Sequence, residues 1–201
     1  MALQMSFFSA EATRPRVADL AGLLCGPGQT AVFAKATARL MVPVEDAWRA
    51  RALVAACAER GVRAQIRVED DARTLCTAFR ADLGPLAAAW SSGVQSGGTH
   101  KTVPGGFTPD GATLRMWVLA AGRWVDSGYL LPLDPAAPQT HEPLLDALGR
   151  CGLPATMLAG GSGVKIIGRR RLGRLSELVG PPVDAGCGDH WPAVSRMRVV
   201  S

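Results

Sequence analysis

The sequence is poor in lysine, in tyrosine and in long apolar runs. Only three of its 22 basic residues are lysine (Lys35, Lys101 and Lys165), and there is one tyrosine. The longest uninterrupted apolar run, residues 52–58, has seven residues. A bilayer span needs about 18 or more, so no membrane association is expected. No basic segment followed by a long apolar stretch opens the chain, and Glu11 interrupts it early, so a secretory signal is not expected either. Five Phe, five Trp and one Tyr leave little for the base-stacking platform of a single-strand binder. The five cysteines (Cys25, Cys57, Cys76, Cys151 and Cys187) are odd in number and widely spaced, which excludes a disulfide framework and reads as reduced core thiols in a cytoplasmic protein. Cys187 and His190 have ligand-like spacing, but no second pair follows, so no metal or other cofactor is expected. Residues 160–163 (Gly-Gly-Ser-Gly) lack the Gly-Lys-Ser/Thr ending of a phosphate-binding loop and lead from one strand pattern into another. His100, His141 and His190 are scattered, and no nucleophilic triad is visible.

What is there is globular. Of 201 residues, 48% are hydrophobic and 19% charged, enough for a packed core. The basic excess is small, 22 against 17, for a net charge of +5. It is also local. Residues 165–174 hold Lys165, Arg169, Arg170, Arg171 and Arg174 with no acid, which by itself equals the whole net charge.

Comparing the chain with itself shows a repeat. Residues 80–86 (Arg-Ala-Asp-Leu-Gly-Pro-Leu) and 169–175 (Arg-Arg-Arg-Leu-Gly-Arg-Leu) share R-x-x-L-G-x-L at an offset of 89. Gly61-Val62-Arg63-Ala64 matches Gly152-Leu153-Pro154-Ala155 at an offset of 91, and Leu20-Ala21-Gly22 precedes Leu114-Arg115-Met116 by 94. Three matches in one order at nearly one offset predict two copies of a unit. The turn-rich segment 91–111 is the expected linker. The expected division is a first copy over 5–90, a linker over 91–111, a second copy over 112–180 and an irregular tail over 181–201.

Each copy reads alike. In the first, residues 16–25 form a helix stopped by Gly26-Pro27-Gly28, and 31–42 form a strand or hairpin with Ala38, Leu40 and Val42 on one side. Residues 45–60 form a helix whose Ala50, Leu53, Val54 and Cys57 make a stripe. Residues 63–68 alternate, with Ala64, Ile66 and Val68 toward the helices and Arg63, Gln65 and Arg67 away. Residues 74–79 fit a helical stripe too, but their counterpart 164–168 reads as a strand, so a strand is expected after an acidic turn at Glu69-Asp70-Asp71. A short helix over 83–90 closes the copy. Trp48, Trp90 and Trp117 are expected in the core. In the second copy a helix runs through 114–121, strands cover 123–133, a helix covers 142–150, a hairpin joins 155–158 to 164–167, and Leu172, Leu175 and Val179 line a last helix. The expected class is α+β, with an α-β-β-α-β-β-α unit occurring twice.

This order resembles the LAGLIDADG homing-endonuclease fold. Leu20-Ala21-Gly22-Leu23-Leu24-Cys25-Gly26-Pro27-Gly28 lines up with its nine-residue motif, and Leu114-Arg115-Met116-Trp117-Val118-Leu119-Ala120-Ala121-Gly122 is the second equivalent. The closer resemblance is to the N-terminal part of WhiA-type sporulation regulators, over residues 5–180. The opening Met5-Ser6-Phe7-Phe8-Ser9 and the helix Trp117-Val118-Leu119-Ala120-Ala121-Gly122 are similar to theirs. The resemblance implies two sheets forming a pseudo-two-fold saddle that lies on DNA. In active enzymes of this fold the eighth motif residue of each copy is an acid that holds a divalent metal. Here those positions are Pro27 and Ala121, so no nuclease is expected. Asp19 and Asp126 lie nearby in sequence and read as solvated residues. The tail is too short for the helix-turn-helix domain of WhiA regulators.

On the uncovered face the alternation places Arg63, Gln65 and Arg67, with Arg39 from the neighbouring strand and Lys165 from the second copy. With Arg169, Arg170, Arg171 and Arg174 they are the candidate contacts to duplex DNA. Two functions stay open: a non-catalytic DNA-binding or transcription-associated regulator, and a scaffold of the same fold docking on a transcription or sporulation protein. The internal duplication makes a monomer the expected state.

Overall fold

A computed structural model describes residues 9–34, 36–92, 100–183 and 185–192. The family-like opening at 5–8, the middle of the linker (93–99) and the end of the tail (193–201) lie outside the described residues.

The chain builds the same unit twice. A 3-10 turn runs into α1 (Ala21–Cys25), followed by β1 (Gln29–Phe33), β2 (Thr37–Val44), α2 (Ala47–Glu59), β3 (Ala64–Glu69), β4 (Ala72–Thr77) and α3 (Gly84–Ala89). Two short strands, β5 (Ser91–Ser92) and β6 (His100–Lys101), pair within the linker segment. Then come α4 (Gly111–Ala121), β7 (Arg123–Val125), β8 (Gly128–Pro132), α5 (His141–Arg150), β9 (Thr156–Met157), β10 (Gly163–Ile166) and α6 (Arg169–Val179). One four-stranded sheet is ordered β1-β2-β4-β3 and the other β7-β8-β10-β9. Both follow the sequence first-second-fourth-third, and the pairing within each is antiparallel.

Local chemistry explains the elements. Asp110 caps α4 by accepting from the Thr113 backbone N–H at 2.8 Å, and Gly122 follows its last turn. The β3–β4 hairpin turns through Asp70 and Asp71, both at positive φ (48° and 64°), a left-handed conformation that aspartate tolerates. Residues 72–77 are a strand, not a helix, because β4 sits between β2 and β3 and pairs with both.

The core is one cluster shared by both copies. At its centre α4 is buried nearly all round: Leu114, Met116, Trp117, Val118 and Leu119 are each at most 1% exposed. Burial of such side chains contributes about 1.5–3 kcal/mol each. Along its length α4 packs on α1, α2 and α6. The α1–α4 approach is tight at Gly22, where a β-carbon would lie 2.0 Å from the Thr113 carbonyl oxygen. The third motif position is therefore glycine because the two central helices nearly touch there. The segment after α6 is also packed: Trp191 is 1% exposed, and its indole N–H donates to the Gly180 carbonyl at 2.8 Å.

Three expectations fail. Asp19 is not solvated but 1% exposed, held by the buried Arg60 at 3.1 Å across 41 positions of sequence. Val68 does not face helices. It is 61% exposed, because β3 is an edge strand and its hairpin end runs past the helix cover. Trp48 is only half-buried, stacked on His190 (ring centroids 5.2 Å apart) and under the Arg49 guanidinium.

Candidate nucleic-acid interface

Strand register decides which side chains share a face. In the first sheet Leu40 and Val42 of β2 and Leu75 of β4 are buried beneath the helices. The opposite face carries the intervening residues. Gln65 stands beside Cys76 and Met41, and Arg67 beside Thr74 and Pro43. Arg39 is on the same face, opposite Ala31. Arg63, Gln65 and Arg67 are exposed. The Arg39 guanidinium lies 4.9 Å from the centre of the Phe79 ring, and its buried Nε has no hydrogen-bond partner among the described residues. Glu69, at the far end of β3, adds a negative charge to this face.

In the second sheet Arg123, Leu130, Lys165 and Thr156 form one row across β7, β8, β10 and β9. Trp124, Tyr129 and Ile166 take the other face. Lys165 thus occupies an outward position on β10, and Arg123 is exposed on the same row. Sequence reasoning missed Arg123. Its signal was the inward Trp124 beside it, but β7 has only three residues, too few for alternation to register.

The arginine cluster lies elsewhere. Leu172, Leu175, Leu178 and Val179 bury one side of α6 in the helix layer. Arg169, Arg170 and Arg171 project from its first turn, where the helix dipole opposes positive charge. Arg170, Arg171 and Arg174 line an open cleft of about 570 Å³ with Gly152 and Pro154 from the α5–β9 loop. Arg174 is paired with Glu177 at 3.1 Å. The candidates therefore fall into two groups: Arg39, Arg63, Gln65, Arg67 and Lys165 belong to strand faces, and the four arginines belong to the helix layer.

The ends of the two central helices hold no acid. Pro27 follows α1 and Ala121 ends α4, and neither side chain has a donor atom for a metal. At the end of α1 the Lys101 ammonium donates to the carbonyl oxygens of Gly26 (2.6 Å) and Gly28 (2.8 Å) and to Asp134 Oδ2 (2.9 Å). Burial lowers the Lys101 pKa, and Asp134 works against that shift. The oxygens there already surround a cation, so the residues present do not fit a divalent ion. Among the described residues, no group of three or more His, Cys, Asp or Glu could hold a metal. No described helix is long and apolar enough to cross a membrane.

Duplicated four-stranded sheets on a pair of tightly crossed central helices define the LAGLIDADG fold, and the chain has it. Two solved structures show the likeness. The homing endonuclease I-WcaI bound to its DNA recognition sequence superposes with a TM-score of 0.58 at 11% identity, over 92% of each chain. The N-terminal LAGLIDADG domain of DUF199/WhiA superposes with a TM-score of 0.51 at 12% identity, over 94% of this chain and 98% of that one. No protein-family model matches the sequence, and no curated protein sequence matches it significantly.

Proposed function

We propose that this is a non-catalytic, monomeric, cytoplasmic DNA-binding protein of WhiA type, acting in transcription regulation, whose open strand faces lie on duplex DNA. The observation that carries the reading is the pair of strand faces opposite the residues that pack under the helices: Arg39, Arg63, Gln65 and Arg67 on one, Arg123 and Lys165 on the other. Arginine and lysine neutralise phosphates, and arginine and glutamine can also read base edges. The bound DNA of the I-WcaI structure supports it. Pro27 and Ala121 at the motif ends support the absence of nuclease chemistry. The arginines of α6 stand in the helix layer and are tested separately as a second phosphate-contacting surface.

The test is fluorescence anisotropy with a mixed-sequence duplex across a salt series. Two variants are compared, Arg63/Arg67/Lys165→Ala and Arg169/Arg170/Arg171→Ala. Each phosphate contact removed lowers the slope of log K against log salt by about 0.9, so a contacting triple lowers it by about 2.7. Unchanged affinity and slope in both variants refute contact through these residues, and no binding by the unsubstituted protein at low salt refutes direct DNA binding.

One observation favours the scaffold reading instead. Val32, Phe33 and Phe79 are 54%, 65% and 42% exposed, and the two Phe rings meet at 5.7 Å. Such a patch suits a protein surface. A stoichiometric protein partner retained after nuclease treatment and lost in Phe33/Phe79→Ser supports that reading.

A further inference from the structure

Both central helices end in the same three-part arrangement. At the end of α1, the carbonyls of Gly26 and Gly28 face the Lys101 ammonium, which also meets the carboxylate of Asp134 from the β8–α5 connection of the other copy. At the end of α4, the carbonyls of Val118, Leu119 and Gly122 accept from Arg49 at 3.2, 2.8 and 2.5 Å. The Arg49 Nε donates to Asp46 Oδ2 at 3.0 Å, from the β2–α2 connection of the first copy. Each site is therefore backbone carbonyls at or just past a helix end, then a cation, then a carboxylate, and the cation and carboxylate come from outside that helix.

The Lys101 ammonium is saturated, and four of the five Arg49 N–H groups are bonded. An ammonium has three N–H bonds, and Lys101 has three acceptors. Its side chain is 7% exposed and that of Asp134 is 3% exposed, so neither turns outward to a ligand. Asp134 is held in turn. Its Oδ2 also accepts from Gln29 at 2.5 Å, and its Oδ1 accepts from the Ala136 backbone N–H at 3.0 Å. Arg49 is 4% exposed. The last carbonyls of a helix favour positive charge through the helix dipole, which suits Arg49 at the end of α4, whereas Lys101 is held by two loop carbonyls just past α1 and by Asp134.

We infer that these are closed cation sites: Lys101 and Arg49 permanently take the positions a divalent ion would need, and removing the Lys101 ammonium opens an oxygen-lined site for such an ion on Gly26 O, Gly28 O and Asp134. Two carbonyls and a carboxylate are hard oxygen donors of the kind that bind Mg²⁺, Mn²⁺ or Ca²⁺. The lysine stem vacates room for the waters that complete the shell. The inference rests on the helix ends alone, so DNA affinity measured on the same samples keeps its failure distinct from that of the DNA-binding reading.

The experiment uses the full chain and MnCl₂ as the probe, with thermal unfolding followed in EDTA and across 0–5 mM metal. For the unsubstituted protein and Asp134→Asn, metal is expected to move the midpoint by the same small amount, because the site is already filled. For Lys101→Ala the midpoint is low in EDTA and rises saturably with Mn²⁺, by about 5–10 °C at a hundredfold excess over the dissociation constant. Adding Asp134→Asn abolishes that rise. Lys101→Met keeps the stem in place, folds without metal and shows no rise. Isothermal titration that finds one Mn²⁺ bound by the unsubstituted protein, and lost in Asp134→Asn, overturns the inference. So does a folded Lys101→Ala that is indifferent to metal. If Lys101→Ala is unfolded in EDTA, refolding into Mn²⁺ is expected to recover it, and failure to recover overturns the opened site.

Discussion

Replacing Gly22 by alanine tests the central helix pair directly. The added carbon would lie 2.0 Å from the Thr113 carbonyl oxygen, 2.8 Å from the Met116 β-carbon and 2.9 Å from the Trp117 backbone nitrogen. An ordinary carbon–oxygen contact is over an ångström longer than the first of these. The obstructing atoms belong to the backbone of α4 and to a β-carbon, so no rotamer change clears them. The helices must move apart along a seam that holds Leu23, Leu24, Met116 and Trp117 in the core. Overpacking ordinarily costs about 1–3 kcal/mol. A clash with main chain belongs at or above the top of that range, about 3–5 kcal/mol, and the better helix propensity of alanine returns about 1 kcal/mol. The expected net loss is about 2–4 kcal/mol, a large share of a typical total of 5–15 kcal/mol. Gly149→Ala is the control. Gly149 lies exposed in α5 with nothing within 4 Å of its would-be β-carbon. It should stabilise by about 0.5–1 kcal/mol. Urea denaturation with unchanged m-values measures both. A Gly22→Ala midpoint within error of the unsubstituted protein refutes the close crossing.

Asp19→Ala leaves the Arg60 guanidinium buried beside an empty position, so a loss of about 3–5 kcal/mol is expected in the same denaturation assay, and Asp19→Ala/Arg60→Met should lose less than the single variant. Alkaline stability should fall. Burial pushes the Cys57 thiol up from 9.0 to about 11, against the opposing charge of Arg60. Below pH 9 both folded and unfolded thiols are neutral and the contribution is complete. Between pH 9 and 11 the unfolded thiol ionises ahead of the folded one, and about 2 kcal/mol drains away. Burial also raises the Cys25 thiol and the Tyr129 phenol, which act in the same direction, and lowers Lys101, which acts in the opposite one. The stability difference between the unsubstituted protein and Cys57→Ala should therefore shrink by about 2 kcal/mol from pH 8 to 11; a constant difference refutes the buried thiol's role.

Periodicity and punctuation in the sequence determined the fold class. Alternation at 37–42 and 63–67, stripes in the helices, and glycines after both motif segments all act between residues near in sequence, and the repeat supplied the rest by comparison. That comparison chose strand over helix for 74–79, where a helical stripe also fitted, and the structure places strand β4 at Ala72–Thr77. The resemblance to the LAGLIDADG motif located the two motif ends, where the sequence carries Pro27 and Ala121 rather than acids. The tertiary structure decided which charges share a surface. Lys165 and Arg169 are four positions apart, yet one faces outward from a strand and the other starts a helix packed in the opposite layer. Asp19 and Arg60 find each other across 41 positions, Arg49 and Gly122 across 73, and Lys101 and Gly26 across 75. Such pairings are invisible to local pattern because a charge reads as solvated until a distant backbone buries it. Burial then makes an unpaired charge too costly to keep, and only tertiary packing, within a copy for Asp19–Arg60 and between copies for Arg49–Gly122, supplies the partner.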